Sequence, residues 1–282
     1  MNASTLNQRR IILIAEALKR FYWKMRKEPR SIFEIIRYAA TGCANIGFCT
    51  VCDQPSIFVE GDTWLREHYR CMLCGSLPRH RALMNVLNSM FTKWRELRIY
   101  EASPAGPAMQ RLWRGCPAYT ASHLYKDIPL GDSHGGIRCE NLEALTFPDA
   151  TFDIVITQDV FEHVLDPTRA FAEIARVLSP AGVHLFTVPY YRGLRTLIRA
   201  VPSPHGMRYL EKAEYRGNPL DPQGSLVVTE WGDDLPEHIF RSSGMLTTIL
   251  QTRDRTLGLD GEFLEVFVSR KASTMPGWHP DL

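Results

Sequence analysis

Four cysteines lie in two Cys-x-x-Cys pairs, Cys49/Cys52 and Cys71/Cys74, with eighteen residues between the pairs. Each pair forms a tight knuckle that turns two thiolates toward one point. The spacing suits a structural zinc ion with four sulfur ligands and no open position. Four unrelated thiols are another reading, and two disulfides a third. Disulfides are rare in reducing compartments, and the charges from Lys19 onward argue against a secretory leader. Cys43, Cys116 and Cys139 read as ordinary thiols. A second group with chemical potential is Gln158, Asp159, Glu162 and His163, crowded at the end of one apolar run. An imidazole and carboxylates there are candidates for proton transfer, and open parallel sheets bind ligands outside the carboxyl ends of their strands.

The elements that must position this second group are readable. Phe152 to Gln158 is a β-branched, mostly apolar run. Phe171, Ile174, Ala175 and Leu178 then recur at helical spacing, Pro180-Ala181-Gly182 is expected to stop the helix, and Val183 to Val188 reads as a second buried strand. Strand, helix and parallel strand make a βαβ unit. The short motifs inside it are FDIV, EHV, EIARVLSPAG and FTVP, in that order. In order and spacing they resemble the second half of a class I S-adenosylmethionine-dependent methyltransferase domain of the type-11 kind. Ala181 replaces the first glycine of the family's usual pair.

The resemblance implies an α/β fold: a Rossmann-like, mostly parallel sheet with helices on both faces and a C-terminal antiparallel hairpin. It implies a first strand at Leu97 to Ala102, ending in a carboxylate and a close-approach turn. Glu101 would face the ammonium of S-adenosylmethionine, with Ala102, Ser103 and Gly106 in the turn. The family's E-x-G-x-G-x-G departs here to Glu101-Ala102-Ser103-Pro104-Ala105-Gly106-Pro107. The second strand, Ala118 to Ser122, leads to Ser122 and His123, where the family carries an acid for the ribose hydroxyls. The third, near Gly136 to Glu140, leads to Asn141 and Leu142 as adenine contacts, although Asn141 also reads as a turn cap. Gln158 completes the implied cofactor set. Asp159, His163 and, from a later segment, His205 are the candidate catalytic groups. A terminal hairpin of Leu246 to Gln251 and Phe263 to Ser269 is expected.

Gly75-Ser76-Leu77-Pro78-Arg79-His80-Arg81 resembles the segment joining a zinc ribbon to the domain in bacterial methyltransferases. Its basic side chains read either as an anion site or as a hinge whose arginines pair with acids. Between the two knuckles Ile57, Val59, Trp64 and Tyr69, with a Gly61-Asp62 turn, suit a hairpin. The implied organisation is a basic amphipathic helical segment at 1–45, a zinc-ribbon-like module at 46–78, a methyltransferase domain at 79–272 and a tail at 273–282. Residues 190–225 are longer than the minimal fold needs and rich in aromatics. They read as an insertion covering the substrate.

Composition sets bounds. The chain has 282 residues, is 45% hydrophobic and 23% charged, and carries a net charge of +2. That balance gives no strong case for nucleic acid. Residues 1–40 hold nine Lys or Arg against three Glu. They read as a helix packed on its own domain, with peripheral membrane contact through residues 9–37 as the minority reading. Its apolar run, Ile11 to Ala15, is too short to span a bilayer, and the expected location is the cytoplasm. The expected function is methyl transfer to a small-molecule or saccharide acceptor, at a hydroxyl. The alternatives are an RNA base methyltransferase, and a non-catalytic binding protein in which the altered glycine loop has ended methyl transfer.

Overall fold

The computed structural model describes residues 42–218 and 220–271. The basic segment before residue 42 and the tail after 271 lie outside the described residues. Among these, contacts define two compact units: 42–92 with 106–114 and 251–264, and 93–105 with 115–250 and 265–271.

The first unit holds a three-stranded antiparallel sheet in the order β1-β2-β3, with β1 at Ala44–Cys49, β2 at Gln54–Glu60 and β3 at Tyr69–Cys71. The expected hairpin is modified. Between β2 and β3 the chain makes a one-turn helix, α1, at Leu65–His68. Ile57, Val59 and Tyr69 face inward, while Trp64 is exposed. Helix α2, Pro78–Met90, begins with proline at its first position, where the missing N–H costs nothing. Helix α3, Gly106–Gly115, belongs to this unit up to Arg114. Gly258, in the returning segment, has φ +66°. Its carbonyl accepts from Arg81 Nε at 3.0 Å and Nη2 at 2.7 Å.

The second unit is built on an eight-stranded sheet in the order β17-β18-β9-β8-β4-β5-β7-β6. The strands are β4 (Ile99–Ala102), β5 (Tyr119–His123), β6 (Ser133–His134), β7 (Ile137–Cys139), β8 (Phe152–Gln158), β9 (Leu178–Thr187), β17 (Met245–Leu250) and β18 (Val266–Lys271). β7, β5, β4, β8 and β9 run parallel, and β6, β18 and β17 are antiparallel to their neighbours. The order reverses between β4 and β8, which makes their carboxyl ends the switch point where a ligand fits. Helix α4, Pro167–Val177, is capped by Asp166, which accepts from Arg169 N at 3.1 Å. Its face of Phe171, Ile174 and Ala175 joins Tyr100, Phe152, Phe186, Trp231 and Phe267 in one buried cluster. Helix α5, Leu235–Ser243, stops at Gly244 with φ +70°.

The helix end expected at Pro180-Ala181-Gly182 falls earlier. α4 stops at Val177, and Leu178 pairs directly with Phe152. The register resumes at Ile154 with Val183, so residues 179–182 stand against Asp153 alone. Burying Leu178 against the sheet starts the strand before the turn-forming residues are reached, and they bulge within it.

Residues 190–226 form small strands: β10 (Tyr190–Tyr191), which pairs in parallel, β11 (Leu197–Ile198), which pairs antiparallel, an antiparallel hairpin of β12 (Ala200–Ser203) with β13 (Gly206–Tyr209), and another of β14 (Tyr215–Asn218) with β15 (Asp221–Leu226). β10 and β11 flank β16, Thr229–Gly232.

A methyl group on Gly258 would lie 2.7 Å from the Phe58 ring and 2.8 Å from Arg81 Nε. With the positive φ added, Gly258→Ala is expected to destabilise the first unit by about 1–3 kcal/mol, the range for forced overpacking. The check is the denaturant midpoint of that unit. An unchanged midpoint would mean that the Arg81 contacts tolerate displacement.

Candidate functional site

Both cysteine knuckles close in the same way. Asp53 N donates to Cys49 O at 2.8 Å, and Gly75 N donates to Cys71 O at 2.7 Å. Each donor stands four residues after the first cysteine of its pair and has positive φ, +58° at Asp53 and +74° at Gly75. The turn forces Cys49 with Cys52, and Cys71 with Cys74, toward a common centre. Cys49 Sγ lies 3.8 Å from Cys74 Sγ, Cys52 Sγ lies 4.0 Å from Cys71 Sγ, and all four sulfurs lie within 4.8 Å of one another. A zinc tetrahedron with Zn–S bonds of about 2.3 Å has edges of about 3.8 Å, so the cluster fits that ion. A disulfide needs about 2.05 Å, and all four thiols are free. Arg79 pairs with Glu67, the arrangement of the hinge reading. His80 is spent as a cap, accepting from Leu77 N through Nδ1 at 3.2 Å. Arg81 is fully buried.

In the second unit, register decides which residues share a face. Glu101 stands opposite Ala121 on β5 and Ile156 on β8. Counting in twos puts His123 and Gln158 on the Glu101 face, at the strand ends. Glu101 is fully buried. It accepts from Tyr119 Oη at 2.6 Å and from Gln158 Nε2 at 2.8 Å. No basic side chain pairs with it among the described residues, and burial pushes its carboxyl up to about 7. Beside it, Gln158 Oε1 is buried and accepts no hydrogen bond from the described residues. A buried carboxylate and a buried orphan carbonyl oxygen together match the donors of an ammonium group.

Ser122 faces the other way. Its hydroxyl is bonded to Tyr100 Oη at 2.7 Å, in the core. His123 is largely buried with its ring against Tyr125, and burial lowers its pKa. Asn141 Oδ1 accepts from Glu143 N at 2.9 Å, which is the turn-cap arrangement. Leu142 is buried. The acid next to them is Glu140, a residue that the sequence pattern passed over. It is buried and held by Arg138 Nε at 3.0 Å, Thr146 N at 2.9 Å and Thr146 Oγ1 at 2.6 Å. Those bonds fix the loop that follows β7.

The backbone is strained at the switch point. Ser103, just past β4, has φ +51°, and Asp159, just past β8, has φ +53°. Such conformations cost about 1–3 kcal/mol each and cluster at functional sites. Ala102 ends β4, and Gly106 opens α3 in the first unit with φ +70°. Asp159 is held by Thr187 twice, through Asp159 N to Thr187 O at 2.9 Å and Thr187 Oγ1 to Asp159 Oδ1 at 3.0 Å.

The turn beyond Asp159 carries the insertion. His163 Nδ1 lies 2.8 Å from Leu226 O, so Nδ1 bears the proton and Nε2 presents its lone pair. Burial, the largest influence on His163, lowers its pKa and keeps it neutral at pH 7. Val228 N donates to Glu162 O at 2.8 Å, and Arg216 Nη1 lies 3.6 Å from the buried Glu162 carboxylate. At its far end the β14–β15 hairpin brings Asp221 to 3.8 Å from Lys126, in the loop after β5. The hairpin thus touches the segments that follow β5 and β8. His205 sits apart from this, in the exposed turn between β12 and β13.

If the sulfur tetrahedron holds zinc, purified protein is expected to carry one ion per chain, and Cys71→Ser is expected to lose it and melt the first unit. Metal analysis with thiol titration checks this. Absent metal with four reactive thiols in the native protein would refute it.

Residues 119–186 match a family model described as a methyltransferase domain, of the type-11 family. Over 70 residues the chain is 39% identical to a probable S-adenosylmethionine-dependent methyltransferase of Mycolicibacterium smegmatis, covering 25% of this chain and 26% of that one. Over 49 residues it is 45% identical to a glycine/sarcosine/dimethylglycine N-methyltransferase of Actinopolyspora halophila, covering 17% of this chain and 9% of the relative. The chain therefore matches only about a quarter or less of the length of these relatives. Among solved structures, an S-adenosylmethionine-dependent methyltransferase from Mesorhizobium loti superposes with a TM-score of 0.44 at 17% identity, over 67% of this chain and 98% of that one. A 1,6-didemethyltoxoflavin-N1-methyltransferase from Burkholderia thailandensis gives 0.45 at 15% identity, over 68% and 78%. The segment from β5 into β9 carries the methyltransferase domain signature.

Proposed function

We propose that this chain is an S-adenosylmethionine-dependent methyltransferase that modifies a hydroxyl of a small molecule or saccharide, with a zinc ion in its cysteine cluster as a structural part. The observation that carries the reading is the pair of buried acceptors at the switch point, Glu101 and the orphan Gln158 Oε1. They suit the ammonium of the cofactor's methionine portion. His123, on the same face, suits a ribose hydroxyl better than Ser122 does, because the Ser122 hydroxyl is taken by Tyr100. Leu142 and Asn141 suit the adenine side. The cofactor supplies a methyl group already activated toward nucleophiles.

The chain's own work is then to orient the acceptor, exclude water and take a proton. His163 is the best base. Its tautomer leaves Nε2 unprotonated, and Glu162 Oε1, 4.0 Å from Nε2, would stabilise the imidazolium once the proton arrives. The β14–β15 hairpin, with Tyr191 beside Arg216 at 3.3 Å, supports the idea of an acceptor cover. His205, exposed in its turn, is the weaker candidate.

The Glu101 shift gives a signed pH dependence. Below about pH 7 the free protein holds Glu101 protonated, so the counter-charge to the ammonium is missing. Cofactor affinity measured by calorimetry is expected to rise from pH 6 to pH 8. Glu101→Gln is expected to flatten that rise and weaken binding roughly ten- to a hundredfold, as for a hydrogen bond to a charged group worth about 1.5–3 kcal/mol. Stability runs the opposite way. The folded state keeps this proton from the ordinary value of 4.5 up to about 7, so this group's contribution falls as pH rises through that window. No cofactor binding at any pH would sink the enzyme reading.

The acceptor is found by following labelled methyl into extracts separated into RNA, protein, lipid and glycan. Label confined to RNA would replace the small-molecule reading. With the acceptor in hand, His163→Gln is expected to lower kcat roughly a hundred- to ten-thousandfold, the range for a general base, and to leave cofactor affinity intact. Tyr191→Phe is expected to act mainly on KM for the acceptor. A His205→Ala loss as large as that of His163→Gln would transfer the base role to the hairpin turn.

A further inference from the structure

The four sulfurs do not share the same surroundings. Ser76 Oγ lies 3.3 Å from Cys49 Sγ and 3.2 Å from Cys74 Sγ, and Ser56 Oγ lies 3.1 Å from Cys71 Sγ. Cys52 Sγ has the Cys71 sulfur at 4.0 Å and no hydroxyl partner among the described residues. Behind Ser76 stands Arg81. Its Nη1 donates to Ser76 O and lies 3.3 Å from Ser76 Oγ, and its Nη2 donates to Tyr69 O at 2.8 Å and Gly258 O at 2.7 Å. Its guanidinium lies over the rings of Phe58, at 4.6 Å, and Tyr69, at 5.4 Å.

All of Arg81's described partners are neutral, carbonyl oxygens, a hydroxyl and ring faces, and no carboxylate is among them. A fully buried cation without a counter-charge is costly, whatever its hydrogen bonds. A zinc ion bound by four thiolates has the complementary problem, because it buries a doubly negative cluster. We propose that Arg81 and the hydroxyls of Ser56 and Ser76 form the charge-compensating shell of a tetrathiolate zinc centre, and that Cys52, the sulfur outside that shell, is where soft electrophiles enter. This rests on the zinc reading given above.

The chemistry follows from the hydrogen bonds. A donor to a thiolate draws electron density from sulfur, weakening it as a nucleophile while keeping it ionised as a ligand. A serine hydroxyl has one proton to give, so Ser56 damps Cys71 and Ser76 damps Cys49 or Cys74 in turn, while Cys52 has no hydroxyl beside it among the described residues. With iodoacetamide, the Cys52 sulfur would form a new S–C bond as iodide leaves. The resulting neutral thioether is a poor zinc ligand, and the ion is released.

The test uses the full chain. Zinc content is measured first, because absence of the ion overturns the zinc reading before any reagent is added. Zinc release to a chromogenic chelator is then followed under iodoacetamide, with mass mapping of the first alkylated cysteine. The expected first label is Cys52. Ser76→Ala is expected to lower zinc affinity roughly ten- to a hundredfold, the effect typical of losing an outer-shell partner, and to spread the first label to Cys49 and Cys74. Ser56→Ala is expected to add Cys71 instead. Arg81→Met tests the charge directly, and Ser76→Ala decides the matter if that variant fails to fold. First labelling distributed evenly over the four cysteines of the unaltered chain, or a Ser76→Ala protein with unaltered affinity, would overturn the proposal.

Discussion

A carboxylate buried in a parallel sheet without a cation is the constraint on which the second unit turns. Glu101 occupies the strand beside the switch point, where moving a charge out of water is expensive. Tyr119 and Gln158 reduce the expense with two hydrogen bonds, yet the carboxyl still holds its proton up to about pH 7. A sheet that needed only packing would carry an apolar residue there. Ile156 fills the equivalent place on the adjacent strand. The group makes physical sense as half of an ion pair whose other half is brought by a ligand.

The first unit has the same arrangement with the sign reversed. Arg81 is a buried cation satisfied by carbonyls and rings, and the sulfur cluster is what offers it negative charge. Both units thus conceal a charge that no described side chain of opposite ordinary charge neutralises. In each the hydrogen-bond partners orient the group without cancelling it. Gln158, orphaned at Oε1, plays that part for Glu101, and Ser76 plays it for Arg81. Apolar replacements would pack more cheaply, so the residues retained point to bound groups as the missing halves.

How much of this the sequence discloses depends on range. The βαβ block was legible because its signals are local: a β-branched run, an apolar face at helical spacing and a second apolar run. The cysteine spacing was legible because a knuckle is a four-residue object. Strand parity is local but its alignment is not: the register that sets Glu101 against Ala121 is what selects His123 and rejects Ser122. What could not be read depends on distant partners. Arg81 reads in sequence as either an anion binder or a hinge arginine paired with an acid, and the carbonyl of Gly258, far along the chain, gives it instead a buried role. The strand start at Leu178 depends on Phe152 opposite it, which overrides the Pro-Ala-Gly signal. The insertion escaped assignment because two-residue strands such as β10 and β11 have no period to detect.

The turn after β8 joins these arguments. Asp159 is forced to positive φ and is bonded on both its backbone and its side chain to Thr187, the last residue of β9. That locks the direction in which the chain leaves the sheet. Glu162 and His163 follow within four residues, and both are spent on the returning end of the insertion, Glu162 O on Val228 and His163 Nδ1 on Leu226. The bond that sets the histidine tautomer is therefore also one of the bonds that hold the β14–β15 hairpin. The tautomer of His163 and the position of the hairpin are therefore linked through Leu226. A hairpin displaced from Leu226 would free Nδ1, allow the other tautomer and remove the available lone pair from Nε2. In the proposed role of His163 as base, seating of the hairpin and readiness of the base would be one event, because the Leu226 carbonyl that holds Nδ1 belongs to the hairpin.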